Sequence, residues 1–439
     1  MEIQKTTKQR WIDMFVSGFA LFAIFFGAGN LIFPPSAGLR AGQYWPQAMW
    51  GFLFSDPVLP IVGVFVTAFL GGKATDLAKR VHPTFAKVLG AVAILTIGPF
   101  FSVPRTSAMT HEMAISEIFP GVPQWATSVV FFALTYFLAI NENGVVDAIG
   151  KYLTPGLLVV LTALIIKGIV CPIGPTATVA EDAYFALGFK DGYQTMDALG
   201  SMLMTGIVFT DLYSKGYKTP EQQKKIMLGV GLVAFVALAF VYGGLTYIGA
   251  TAGELFPADT DRVVLFNGAV KALFGEAGKT VVALATALAC LTTSVGLTAT
   301  CGNFFSEISH NKLSYKNVVI AACGVSFLLS LFGVQGLINL AAPILSFIYP
   351  MIILLILFGL FNRYLPYDAT FRGGVIGAAC FGLIDALHTI NSNWLGGLTD
   401  ILKTWPLAHF GFGWLLPTLV IAFLWTLPSL IKHGAKRPN

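Results

Sequence analysis

The chain has 439 residues, 56% hydrophobic and 11% charged, with a mean hydropathy of +0.75 and a formal net charge of +5. Soluble domains carry about 25% charged residues, so this composition excludes a soluble globular core. Charges this sparse and dispersed also exclude a nucleic-acid-binding surface.

Continuous apolar runs recur along the whole length, which predicts an all-α polytopic membrane protein and not an alternating β-barrel. Twelve spans are predicted, at 12–38, 45–71, 87–117, 122–140, 150–170, 192–213, 225–250, 278–304, 316–333, 337–361, 372–389 and 409–431. The eleventh is the least regular, because Asp385 and His388 fall at its end. With the N-terminus placed in the cytoplasm, 19 of the 27 Lys and Arg residues fall on cytoplasmic tails and loops and 6 on the opposite face. Arg105 and Lys167 lie inside spans. The positive-inside rule therefore puts both termini in the cytoplasm. The basic loops 72–87 and 214–225 serve this orientation and face anionic lipid. No cleavable targeting segment is expected at the N-terminus. The five cysteines have neither metal-ligand nor framework spacing and read as packing residues.

Span one carries "FAIFFGAGNLIFPP", Phe22 to Pro35, with Gly27-Ala28-Gly29-Asn30 at its centre. Small residues there could simply let helices pack closely. The alternative is a helix opened at Gly27 to Asn30, tolerated only where backbone groups face protein or a hydrated cavity. The two prolines are expected to end the outer half-helix. In span two, Asp56 beside Pro57 is expected near the interface, as is Lys167 of span five, where both can snorkel.

Span three holds Arg105 and Glu112 seven residues apart along one face. Charge at membrane depth is costly, so the two read either as an external gate or as structural ties to another helix. His111 and Glu112 are not a zinc-protease motif, because Ile115 stands where the second histidine belongs.

Span six, "GYQTMDALGSMLMTG", is a second glycine-broken segment, five spans after the first and crossing in the opposite direction. Matching breaks in two inverted halves point to a midplane binding site, with half-helix N-termini for a carboxylate and freed carbonyls for a cation. Asp197 beside this break is either a partner for a substrate ammonium, a gating residue, or an N-cap of the second half-helix. Span eight offers Thr292, Thr293 and Ser294. Such hydroxyls either bond their own helix or coordinate a hard cation such as Na⁺. No filter repeat, nucleophile–base pair or metal spacing indicates a channel or an enzyme.

Four ordered motifs carry a resemblance that covers the chain: "FFGAGNLIFPP", "GPFFSVPRTSA", "GYQTMDALG" and "ACLTTSVGLT". Together they resemble bacterial branched-chain amino acid symporters of the BrnQ type, which are similar in turn to the LeuT-fold superfamily. The resemblance implies two inverted five-helix repeats, at 12–171 and 192–361, and two additional helices at 372–431, with the first and sixth helices broken. It implies import of leucine, isoleucine and valine with Na⁺ as coupling ion, across the bacterial cytoplasmic membrane. The implied substrate site comprises Phe25, Gly27, Ala28, Gly29, Asn30, Asp197, Ala198, Leu199, Gly200 and Ser201, with Ala198 to Ser201 unwound. The implied sodium ligands are the carbonyls of Ala23, Phe26 and Ala289 and the hydroxyls of Thr292 and Thr293. A second sodium site is not expected, because Ala198 replaces a threonine of span six and span seven lacks an asparagine. The third-helix tyrosine is also missing, with Phe100 and Phe101 in its region. A proton-coupled carrier for another small solute, working through Asp197 or Glu112, is the alternative reading.

Overall fold

A computed structural model describes residues 6–27, 29–73, 75–140 and 145–433. All regular structure among them is helical, in the order α1 (Thr7–Phe25), α2 (Gly29–Ala41), α3 (Trp45–Leu53), α4 (Leu59–Leu70), α5 (Pro83–Leu95), α6 (Ser102–Thr110), α7 (Ser116–Ile118), α8 (Gln124–Ile140) and α9 (Val145–Val170). There follow α10 (Tyr184–Tyr193), α11 (Asp197–Ser214), α12 (Pro220–Ala250), α13 (Arg262–Ile308), α14 (Tyr315–Ser330), α15 (Gly333–Leu360), α16 (Asp368–Ile390), α17 (Gly396–Thr404) and α18 (Leu415–His433).

Seven helical stretches among the described residues are long and apolar enough to cross a membrane, and three shorter apolar helices accompany them. These ten match ten of the twelve predicted spans. The remaining two, spans one and six, are the ones expected to be broken. Span one is divided between α1 and α2, whereas span six lies almost wholly in α11 and only its first two residues belong to α10. The outer surface is apolar, with Val130, Phe137, Leu232, Leu328 and Phe423 all exposed on their helices. That exposure suits a lipid-facing surface and would be unusual against water.

Two close contacts at one helix crossing, between α2 and α12, fix the broken first span. A Cβ on Gly38 of α2 would lie 1.9 Å from the carbonyl oxygen of Thr246 on α12. A Cβ on Gly249 of α12 would lie 1.9 Å from the Pro35 carbonyl. Backbone therefore packs on backbone, and only glycine fits at these contacts. Pro34 and Pro35 do not end the half-helix as the sequence led us to expect. Both are buried inside α2, which runs on to Ala41. Their missing N–H groups cost the bonds to the carbonyls of Asn30 and Leu31, and burial against α12 outweighs that loss.

Spans two and three are also interrupted. A π-helical turn at Phe54–Val58 contains Asp56 in an extended conformation, φ −152° and ψ 109°. Span three has similar turns at Thr96–Phe100, around Gly98 and Pro99, and at His111–Ile115. Such turns free backbone groups and re-aim side chains inward. Of the five cysteines, Cys290, Cys301 and Cys323 are buried and Cys171 and Cys380 exposed, all as free thiols.

Candidate functional site

The two breaks meet at one internal cavity. Helix α1 stops at Phe25, where Phe26 turns extended at ψ 87°. The chain re-enters helix at Gly29, and Asn30 N–H donates to the Gly27 carbonyl at 3.2 Å. The Gly27 N–H donates to the Phe25 carbonyl at 3.1 Å, so the Ala23 carbonyl loses its usual donor from that residue. The opening lies at the N-terminal edge of the expected Gly27 to Asn30 stretch: Phe26 and Gly27 are non-helical, and Gly29 and Asn30 already belong to α2. Ala28, between the two glycines, lies outside the described residues.

The break in span six falls upstream of its expected position. Ala198 to Ser201 form the first turn of α11, and the non-helical residues are Gln194 to Met196. Met196 adopts a left-handed conformation, φ 67°, and the Thr195 hydroxyl donates to the Gly192 carbonyl at 2.8 Å. Ala and Leu favour helix, and an acidic residue suits the first turn of one, so α11 starts at Asp197. Asp197 is therefore not an N-cap. That place belongs to Met196, which makes no side-chain capping bond.

Asp197 instead faces α2. Asn30 Nδ2 lies 2.9 Å from Asp197 Oδ2, 2.8 Å from Asp56 Oδ2, 3.0 Å from the Phe25 carbonyl and 2.5 Å from the Tyr242 hydroxyl. An amide nitrogen carries two N–H groups, so it donates to two of these oxygens at a time. Two carboxylates, a carbonyl and a phenol thus converge on one neutral side chain. Asp56 is fully buried here and does not snorkel. Span two begins at Trp45, so a rise of about 1.5 Å per residue carries Asp56 roughly 16 Å inward. Asp56 and Tyr242 are the site residues sequence reasoning missed. The available signal was a charged Asp-Pro pair midway along an apolar run.

The cavity is lined on its polar side by Gly27, Gly29, Asn30, Arg105, Thr195, Asp197 and Thr293. On its apolar side stand Ile24, Ile97, Met196, Met204 and Leu297, with Gly200 leaving room. Arg105 is 3% exposed and donates from Nη1 to the freed Gln194 carbonyl at 2.7 Å. Glu112 lies elsewhere, where its Oε1 accepts the Val334 N–H at 2.8 Å at the start of α15. The two charges of span three therefore serve different places.

The other implied residues are more dispersed. Phe25 is buried and offers its carbonyl, whereas Ala198, Leu199 and Ser201 are buried away from the cavity. The Ser201 hydroxyl donates to the Ala198 carbonyl at 2.7 Å and packs against Gly63 of α4. Among the implied sodium ligands, Thr293 lines the cavity, while Ala23, Phe26, Ala289 and Thr292 do not. The Thr292 hydroxyl donates to the Ala289 carbonyl at 2.9 Å. Helix α1 lies mainly along α12, and α13 mainly against α9 and α6.

Polar ties away from the cavity lining link the same half-helices. Toward one end, Arg40 of α2 pairs with Asp191 of α10, and Arg262 lies 4.0 Å from the same carboxylate. Toward the other, the Ser17 hydroxyl of α1 donates to Asp211 at 2.6 Å, and Lys215 donates to both. The half-helices that form the site are thus the ones these ties hold.

Helices broken at paired positions around a central cavity give the LeuT-type fold. The structure of MhsT in complex with L-phenylalanine superposes at a TM-score of 0.59 with 15% identity, covering 93% of this chain and 98% of that one. Mhp1, a nucleobase-cation-symport-1 family transporter, in a closed conformation with bromovinylhydantoin bound, superposes at 0.57 with 13% identity, covering 95% and 94%. A family model described as "Branched-chain amino acid transport protein" matches residues 10–431. The chain is 34% identical over 437 residues to the branched-chain amino acid permease BraB of Bacillus subtilis, covering 97% of this chain and 98% of that protein. It is 31% identical over 430 residues to the branched-chain amino acid permease BrnQ of Escherichia coli K12, covering 95% and 96%. The protein belongs to this branched-chain amino acid transport family, whose members here are permeases and not enzymes.

Proposed function

We propose that the protein imports leucine, isoleucine and valine by symport with Na⁺, by alternating access around the cavity between the two broken spans. The observation that carries this reading is the cavity itself. It joins the open ends of α1 and α2 and the Asp197 carboxylate to an apolar wall with space beside Gly200. Such a chamber suits a zwitterion with a short branched side chain. In this reading residues 12–171 and 192–361 are the two inverted repeats, 372–431 the added helices, and both termini are cytoplasmic in the bacterial inner membrane.

Support for Na⁺ comes from Thr293, whose hydroxyl has no hydrogen-bond partner among the described residues and lines the cavity near the end of α1. In this reading Na⁺ bridges spans one and eight, and Thr292 turns from Ala289 to join it. Coupling then follows if the ion binds one conformation better than the other. Proton coupling is the second reading, favoured by the buried Asp56 and Asp197 carboxylates that share one amide. Glu112, tied to α15, is outside that pair.

Radiolabelled leucine uptake by the purified protein in liposomes, with Na⁺, Li⁺ and pH varied separately, tests both. Uptake driven by a Na⁺ gradient at fixed pH supports symport with Na⁺. Uptake indifferent to Na⁺ but driven by a pH gradient overturns it in favour of the proton.

A further inference from the structure

We propose that Arg105 is the residue that receives the α-carboxylate of the transported amino acid, at the point where it faces Gly29 of α2. This rests on the transporter reading above. Arg105 is a buried cation whose one hydrogen bond among the described residues is to a carbonyl. No carboxylate of the described residues lies within ion-pair distance of it. Asp197 lines the same cavity yet is held by Asn30. A buried charge kept apart from its available counter-charge is costly, and a ligand that bridges the two removes the cost.

The guanidinium is aimed at the helix opening. A Cβ on Gly29 would lie 2.8 Å from Nη2 and 3.1 Å from Cζ, so glycine is what allows the approach. Phe33 of the same half-helix places its ring centroid 5.5 Å from Cζ, which keeps the fork in place. The N-terminus of the 13-residue α2 adds positive potential at the same point, beside the Asn30 N–H that donates to the Gly27 carbonyl. Two positive elements facing each other at the cavity wall both favour an anion. A planar fork matches a carboxylate through two parallel N–H···O bonds. An amino acid bound there turns its ammonium toward Asp197 and its side chain toward Ile97 and Met204.

The rival explanation is that Arg105 only braces the Gln194 carbonyl. Equilibrium binding to the full chain in nanodiscs separates the two, using L-leucine and 3-methylbutylamine, which is leucine without its carboxylate. Arg105→Gln should weaken leucine roughly 10- to 100-fold, the range for a hydrogen bond to a charged group, and leave the amine within about threefold. Arg105→Lys keeps the charge without the fork, so it should lose leucine affinity by a smaller factor and again spare the amine. It also keeps the test available if the glutamine variant fails to fold. Equal weakening of both ligands, or unchanged leucine affinity in either variant, overturns this role of Arg105. Failure of leucine to bind the wild type instead overturns the substrate reading, and this role with it.

Discussion

Replacing Asp56 with asparagine keeps the side-chain shape and removes one of two buried carboxyl groups. Asp56 Oδ2 and Asp197 Oδ2 lie 2.8 and 2.9 Å from the same nitrogen, so they are at most about 5.7 Å apart. At that separation two unit charges repel by about 0.7 kcal/mol in a water-like dielectric and about 3 kcal/mol at an effective dielectric near 20. In the proton-coupled reading, a proton held at the pair offsets this repulsion. Asp56→Asn should then raise the half-saturating proton concentration by about 3- to 150-fold. Leucine affinity at saturating cation should change much less. The assay is leucine uptake in proteoliposomes, with Na⁺ titrated at fixed pH and pH varied without Na⁺. An Asp56→Asn protein with the wild-type dependence on both cations would refute the reasoning and leave the pair with a structural role.

Three further outcomes follow from other parts of the molecule. Thr293→Ala should weaken Na⁺ activation of uptake by several-fold, with little change in thermal unfolding, because its hydroxyl bonds no described residue; unaltered Na⁺ activation moves the ion elsewhere. Glu112→Ala should cost about 1–3 kcal/mol by removing the carboxylate that accepts the Val334 N–H, read as a lower melting temperature with leucine affinity preserved. Gly249→Ala forces a methyl to within 1.9 Å of the Pro35 carbonyl. Overpacking of this kind costs about 1–3 kcal/mol, and it should displace α2 enough to lower both stability and uptake, whereas a wild-type phenotype would deny the tight crossing.

The first break was legible because its signal is local. Gly27 and Gly29 lower helix stability within three residues, and the helix stops and restarts there. The second was legible as a span but not as a register. Gly200 and Ser201 look like breakers, yet Gly200 opens space beside Met204 and Ile97 within intact helix. The non-helical residues were set by tertiary partners instead, since Arg105 takes the Gln194 carbonyl and the helical start at Asp197 meets Asn30. Asp56 was misplaced for a related reason. A charge beside proline reads as a span end unless something across the bundle compensates it.

By itself, the sequence determined the membrane setting, the twelve spans, a helix break beside Gly27 and the family, because hydropathy, glycine spacing and motif order are properties of the chain. The tertiary structure decided which polar groups share a site. Asn30, Asp56, Asp197 and Tyr242 are up to 212 residues apart in sequence. They meet only because three separate interruptions turn toward one point at Asn30, where each buried polar group needs a partner.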